Sequence, residues 1–212
     1  MQSMHILKVQ ENNWGKRYIE KATLDQFKFS SSAGTGLGYY KSINKLGISA
    51  MVTNGTGYKK AEDDDHKKIS FLTVYGEQKL NKKDGLNIGG IYSTENYDFD
   101  SLTVKNNSII GIFAGYAINA FRTGIEWNQR NDNGKDITEK IKSLYANYQS
   151  KSNLAIFFKY DIVSLNTKET DENKIYLITG IEYNPGKGLS IAPNYRKSDN
   201  ETQFVVNFEF NF

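Results

Sequence analysis

The sequence lacks several features that would assign it to a common class of protein. Its 212 residues include no cysteine and only 2 prolines. The absence of cysteine excludes disulfide bonds, thiolate metal sites and thiol nucleophiles. No apolar run approaches the roughly 18 residues of a transmembrane helix. Residues 1–20 also lack the basic start and apolar core of an export signal, so we expect either a mature form or a missing upstream part.

Catalytic and nucleic-acid-binding signatures are absent as well. The 27 basic and 24 acidic residues give a net charge of +3, too balanced to predict a nucleic-acid partner. The two histidines, His5 and His66, lie far apart in sequence, which argues against a histidine-based catalytic or zinc site. The acidic run at 62–65 lacks the spacing of a calcium loop and is typical of a solvated loop. We therefore expect a protein that is not an enzyme and has no cofactor or metal.

Aromatic residues and glycines are abundant, and the end of the chain shows how they are arranged. Side chains of a β-strand alternate between its two faces. At residues 203–212 this alternation separates an apolar face from a mostly polar one. The apolar face carries Phe204, Val206, Phe208, Phe210 and Phe212. The opposite face carries Gln203, Asn207, Glu209 and Asn211, with Val205 as its one apolar residue.

The same alternation recurs along most of the chain and predicts eleven strands. Segments of about ten residues with period two are typical of transmembrane β-strands. The links between them alternate between short and long, as periplasmic turns and extracellular loops do in such barrels. The predicted strands are 35–42, 46–53, 68–80, 86–94, 108–118, 121–129, 139–149, 154–165, 174–183, 189–196 and 202–212.

These patterns predict an all-β fold, an antiparallel up-and-down transmembrane β-barrel of about 11–12 strands. Residues 1–33 are an irregular segment, either lumenal or a remnant of upstream strands, in which Ile6, Leu7 and Val9 suggest one short strand. Residues 34–212 form the barrel. Because bacterial single-chain barrels have even strand numbers, we favour the C-terminal part of a larger barrel.

Short motifs resemble the phosphate-selective porin-like group of Gram-negative outer-membrane porins. They are Trp14–Lys21, Ser30–Gly36, Val52–Tyr58 and the Ala192-Pro193-Asn194 triplet. Gly34 stands where that group commonly has Asp, so any role of that acid is absent. The resemblance implies passive diffusion of small hydrophilic solutes or ions through a water-filled lumen in the bacterial outer membrane. It does not identify the solute, and phosphate selectivity is not transferred.

The resemblance also implies partners. Phe208, Phe210 and Phe212 match the terminal signal read by the barrel-assembly machinery, with Asn207 replacing the small glycine often found inside it. Outer-membrane lipid would surround the barrel, and porins of this kind are often homotrimers.

Ten charged residues are candidates to line the pore. Three belong to the N-terminal segment and would form a constriction if that segment lies in the lumen, whereas seven lie on the polar faces of predicted strands. Mixed charges of this kind set ion preference without a reaction, although Asp161 and Glu182 could also form an acid–base pair. The ten are Lys16, Arg17, Lys21, Arg122, Glu126, Lys159, Asp161, Glu182, Arg196 and Glu209.

Two other functions remain open at this stage. A soluble β-barrel could bind an apolar ligand if the apolar strand faces turned inward. A structural outer-membrane barrel could have a filled interior. Both alternatives share the predicted strands with the channel. The soluble barrel differs from it in which strand face is inside, and the structural barrel differs in having no open interior.

Overall fold

A computed structural model describes residues 6–31, 35–54, 66–100, 102–150, 152–166, 171–186, 188–199 and 201–211. Two short helices precede eleven strands. The helices are α1 (Lys8–Trp14) and α2 (Thr23–Gln26). The strands are β1 (Gly36–Ile43), β2 (Leu46–Asn54), β3 (Lys67–Gly76), β4 (Gly85–Asp98), β5 (Val104–Ile118), β6 (Phe121–Asp132), β7 (Ile137–Gln149), β8 (Leu154–Asn166), β9 (Asp171–Gly186), β10 (Leu189–Ser198) and β11 (Glu201–Phe210).

The strands form one antiparallel sheet in which each strand pairs with its neighbours in sequence, from β1 to β11. The predicted all-β, up-and-down fold is confirmed. Most strands are longer than predicted at the ends that face the long links. The largest shortening is in β3, which ends at Gly76, where φ is +105°, instead of continuing to residue 80. The following link is therefore 77–84, and it turns Leu80 inward to 1% exposure.

The two faces of the sheet differ as the alternation predicts. The outer face of the strands carries exposed apolar side chains, among them Ile112, Ile125, Ile156 and Phe208. The inner face carries buried residues of mixed polarity. In β8, for example, Ala155, Phe157, Lys159 and Asp161 are buried. The apolar strand faces thus point outward, which is the orientation required in a lipid bilayer.

Outer-face aromatic residues lie at two levels along the strands. Tyr148 and Tyr183 are exposed beside short links, whereas Tyr92 and Trp127 lie farther along β4 and β6 toward the long links. A membrane barrel places aromatic residues at both lipid–water boundaries. This arrangement agrees with a sheet that crosses a membrane.

The N-terminal segment differs from the prediction of an irregular chain with a short strand. Ile6 and Leu7 lead into α1, a seven-residue helix that contains Val9. Its end is set by Gly15, whose φ of 69° is left-handed and whose N–H donates to the Glu11 carbonyl at 2.8 Å. A Cβ at residue 15 would also lie 2.5 Å from Arg122 Nη1. Among the described residues of this segment there is no strand, and no described helix of the chain is long and apolar enough to cross a membrane.

The sheet is open. Strands β1 and β11 are its edges and do not pair with each other in the described part of the chain. All eight residues of β1 are exposed, and most of β11 is exposed too. The closed barrel expected from the sequence is therefore not seen.

Replacing Ile112 with lysine tests the outward orientation. Ile112 is 59% exposed on the outer face of β5, so the substitution should lower the free energy of unfolding in a bilayer by about 2–4 kcal/mol. Tyr116→Lys lies on the same face nearer the short link and should cost about 0–1 kcal/mol. Urea unfolding in phosphatidylcholine vesicles, followed by tryptophan fluorescence, measures both. If both substitutions changed the free energy of unfolding equally and negligibly, this face would not contact lipid.

Candidate functional site

The inner face of the sheet is covered by residues 6–31, which we call the inner segment. Its apolar side chains enter two buried clusters with the sheet. In the first, Ile6, Leu7, Val9, Leu24 and Phe29 pack with sheet residues that include Leu72, Ile109, Phe113 and Ile141. In the second, Trp14 and Ile19 pack with sheet residues Tyr145, Phe157, Ile178 and Ala192. The inner segment is thus part of the folded core.

Trp14 is the centre of the second cluster and is 1% exposed. Its ring meets Tyr145 edge-to-face at 5.7 Å and Phe157 at 6.4 Å between centroids. Its Nε1 donates to the Glu20 carbonyl at 3.0 Å, and its own carbonyl accepts from Asn147 Nδ2 at 3.0 Å. These two hydrogen bonds fix the path of the chain after α1.

A buried ion pair lies beneath α2. Lys159 Nζ is 2.8 Å from Asp161 Oδ2, and both side chains are essentially without exposure. Lys159 also donates to Gln26 Oε1, and the Ser143 hydroxyl donates to Asp161. Thr23 Oγ1 then donates to Ser143 Oγ at 3.2 Å. The two β8 charges compensate each other, and α2 adds the neutral partners Gln26 and Thr23 to this buried group.

A second buried carboxylate holds α1. Glu126 accepts from Gln10 Nε2 at 2.8 Å and from the Tyr145 hydroxyl at 3.2 Å. Asn13 and Asn87 exchange two side-chain amide hydrogen bonds, at 2.9 and 2.8 Å. These contacts join α1 to β4 and β6, and Tyr145 of β7 bonds the same carboxylate.

The chain between the helices is held to β9, β10 and β11. Lys16 pairs with Glu182, and Glu20 Oε2 accepts from Tyr176 OH at 2.9 Å and from Arg196 Nη1 at 3.1 Å. Asn207 Nδ2 donates to the Tyr18 carbonyl at 3.1 Å. Burial, and then the nearby Glu182 charge, raise the pKa of the Tyr18 hydroxyl.

The structure divides the ten predicted pore-lining residues into three groups. Lys16, Glu126, Lys159, Asp161 and Glu182 are buried between the inner segment and the sheet. Their contacts hold the inner segment against the sheet and leave little of their surface open. That they border a water-filled passage stays a prediction. Arg122, Arg196 and Glu209 are half-buried, and Arg17 and Lys21 are exposed on the inner segment. Asp161 and Glu182 are engaged with different lysines, so they do not form an acid–base pair.

Several residues that hold the inner segment were missed by the sequence analysis. Ser143, Tyr145 and Asn147 occupy alternate positions of β7, so their shared inner face follows from the period of the strand. No comparable signal marked Gln10, Asn13 or Glu20, whose partners lie far away in sequence. Of the other sequence-level candidates, the acidic run at 62–65, His5 and Phe212 lie outside the described residues, and His66 Nε2 is 3.0 Å from Asp98 Oδ1. In the described ranges there is no group of three or more His, Asp or Glu side chains that could hold a metal ion.

The comparisons with known proteins agree with this architecture. No family model and no curated protein matches the sequence. Among solved structures, OmpF of Salmonella typhi in complex with daunomycin is similar, with a TM-score of 0.69 and 16% identity over 95% of this chain and 67% of that one. OmpT of Vibrio cholerae is similar with a TM-score of 0.61 and 12% identity over 84% of this chain and 65% of that one. The OmpT variant that lacks loop L8 is similar with a TM-score of 0.61 and 14% identity over 82% of this chain and 62% of that one.

The chain therefore spans about two thirds of the length of OmpF and slightly less of OmpT. It has the fold of bacterial outer-membrane β-barrels. The location of those proteins, the bacterial outer membrane, is the one that the sequence predicts for this chain.

Replacing Lys159 with methionine tests the buried pair. The substitution leaves Asp161 buried without its cation and should lower the free energy of unfolding by about 3–5 kcal/mol. The double variant Lys159→Met/Asp161→Leu removes both charges and should recover most of that loss. Urea titrations measure the free energy of unfolding of the parent protein and of both variants.

Lys21→Met is the matched control, because Lys21 is paired with Asp25 but its side chain is 46% exposed. Its cost should be about 0–1 kcal/mol. If Lys159→Met cost no more than this control, the buried pair would not be an anchor of the inner segment.

Proposed function

We propose that the protein is a porin-type channel of the outer membrane, which allows passive diffusion of small hydrophilic solutes or ions. The observation that carries this proposal is the division of the sheet into an apolar outer face and a charged inner face, with the inner segment folded against the inside. A membrane channel needs both faces in this orientation. The inner segment then narrows the lumen.

Of the ten charged residues predicted to line the pore, five remain exposed or half-buried and are available to a passing solute. On the inner segment these are Arg17, 2.5 Å from Glu11, and Lys21, 3.1 Å from Asp25. On the sheet they are Arg122, Arg196 and Glu209. Because both signs occur, we propose a weak ion preference rather than strict selection.

Neutralising Arg17 and Lys21 together tests the constriction. Removing two exposed cations from the narrowest part should raise the cation-over-anion permeability ratio by about twofold or more, since the local potential becomes more negative. Reversal potentials in planar bilayers under a potassium chloride gradient measure the ratio.

The matched control is Lys140→Gln/Lys142→Gln, which removes the same charge from the outer face of β7, where both lysines are exposed. This variant should leave the ratio near that of the parent protein. An unchanged ratio in the Arg17 and Lys21 variant would remove these residues from the pore.

A structural barrel with a filled interior is the second candidate. The two buried clusters and the buried ion pairs favour it, because they show that the inner segment closes part of the inner face tightly. Conductance separates the two functions. Regular single-channel steps support the channel, and a bilayer that stays silent with correctly folded protein supports the filled barrel.

The soluble binding module is not supported. It requires the apolar strand faces to line a dry interior, whereas Ile156 and Phe208 are 58% and 56% exposed on the outside. Lys159, in contrast, lies on the inner face with 0% exposure. The relation to phosphate-selective porins and the trimeric state remain predictions from the sequence resemblance.

The terminal aromatic residues give a test of export. Phe212→Ala should reduce the yield of folded protein in the outer membrane by several-fold if Phe208, Phe210 and Phe212 are read by the assembly machinery. Phe204→Ala is the control, since Phe204 occupies the same outer face of β11 but precedes the signal. Heat-modifiable mobility of membrane fractions on gels measures folding. An equal loss in both variants would indicate a general packing defect instead of a signal.

A further inference from the structure

A cavity of about 380 Å³ opens at the short-link end of the inner face. Its walls come from the end of α1, the 77–84 link, the 119–120 link and the adjoining parts of β6 and β7. A volume of this size is within the range of small-molecule sites. The cavity is separate from the exposed charges of the inner segment, Arg17 and Lys21, that the channel proposal uses.

The cavity has an excess of positive charge. Lys16, Lys82, Lys83 and Arg122 line it, and Asp84 is the acidic group among its lining residues. Lys16 is compensated by Glu182. Within the described part of the chain, neither Lys82 nor Lys83 has an ion-pair partner. The buried lysines of the inner face thus have carboxylate partners, whereas Lys82 and Lys83 at this end of the sheet have none among the described residues.

The walls are held in place by hydrogen bonds. Arg122 Nε donates to the Leu80 carbonyl at 2.7 Å, and its Nη1 donates to Asn147 Oδ1 at 3.3 Å. Neither bond uses Nη2. Asp84 Oδ2 accepts from the Asn119 amide at 2.9 Å, which joins the two short links. The guanidinium is therefore fixed at the cavity wall, with a nitrogen left to bind a carboxylate or phosphate oxygen.

The rest of the lining is rich in side-chain amides: Asn81, Asn119, Asn147 and Gln149. An amide both donates and accepts hydrogen bonds, as recognition of hydroxyl groups requires. The Asn147 amide is engaged with Trp14 and Arg122, and that of Gln149 with the Ser150 and Leu154 carbonyls. The amides of Asn81 and Asn119 have no side-chain hydrogen bond within the described residues. Cations alone would suit a bare inorganic anion. Cations combined with amides, in a cavity larger than such an ion, suit an anion that also carries hydroxyl groups.

We propose that this cavity is a binding site for hydroxylated organic anions of the sugar-phosphate type. Arg122, Lys82 and Lys83 bind the phosphate, and the side-chain amides of Asn81 and Asn119 bind the hydroxyl groups. Asp84 weakens the site and excludes more highly charged anions. Equilibrium binding requires no conduction, so this site and the channel proposal can fail separately.

Isothermal titration of the purified protein in zwitterionic detergent tests the site, with glucose 6-phosphate as the probe. Lys82→Gln and Lys83→Gln should each weaken binding by about 2- to 5-fold, the effect of one solvent-accessible charge. Asp84→Asn keeps an acceptor for the Asn119 amide and should strengthen binding. Glucose and inorganic phosphate should each bind more weakly than glucose 6-phosphate.

Lys79→Gln is the matched control, because Lys79 belongs to the same 77–84 link but does not line the cavity. It should leave the affinity unchanged. The site is overturned if glucose 6-phosphate does not bind, or if Lys79→Gln weakens binding as much as Lys82→Gln. Its preference for hydroxylated anions is overturned if inorganic phosphate binds as tightly as the sugar phosphate. Heat-modifiable mobility on gels verifies that each variant is folded.

Discussion

The outward orientation of the apolar strand faces is the constraint on which the rest of the structure depends. In a bilayer, hydrocarbon contacts the outer face, and every backbone polar group there must be paired within the protein. An antiparallel meander satisfies this requirement strand by strand. Once Ile112, Ile156 and Phe208 point outward, period-two alternation places Glu126, Lys159 and Glu182 inside. The inner segment then has to supply partners for these charges.

The inner face therefore carries apolar as well as charged side chains. Phe113, Tyr145 and Phe157 share it with the charges and are buried. Apolar contacts give the inner segment its packing energy, and the ion pairs fix its position. A buried ion pair contributes little net stability compared with apolar packing, but removing one partner is costly. The segment is therefore held in one register, which is what a constriction of defined width requires.

The strands could be predicted from the sequence because their signal is local. Alternation is visible within ten residues, and links rich in Asn and Gly separate the strands. The main error in strand length, at the end of β3, arose because the pattern continues past residue 76 while the backbone turns at Gly76. The inner segment could not be predicted in the same way. Its helices have only seven and four residues, and Gln10 meets Glu126 across 116 positions. Which charges are buried depends on that long-range contact.

The same constraint applies to the two open edges of the sheet. The edge strand β1 exposes all of its residues, and Leu37 and Phe204 on the two edges are 84% exposed. An unpaired N–H or carbonyl in hydrocarbon costs several kcal/mol, so neither edge is stable in a bilayer on its own. The membrane form must therefore pair both edges, either with each other in a tighter barrel or with further strands. In both cases the inner segment already lies on the inner face, so closing the wall would enclose it without changing its contacts with β4, β6, β7 and β8.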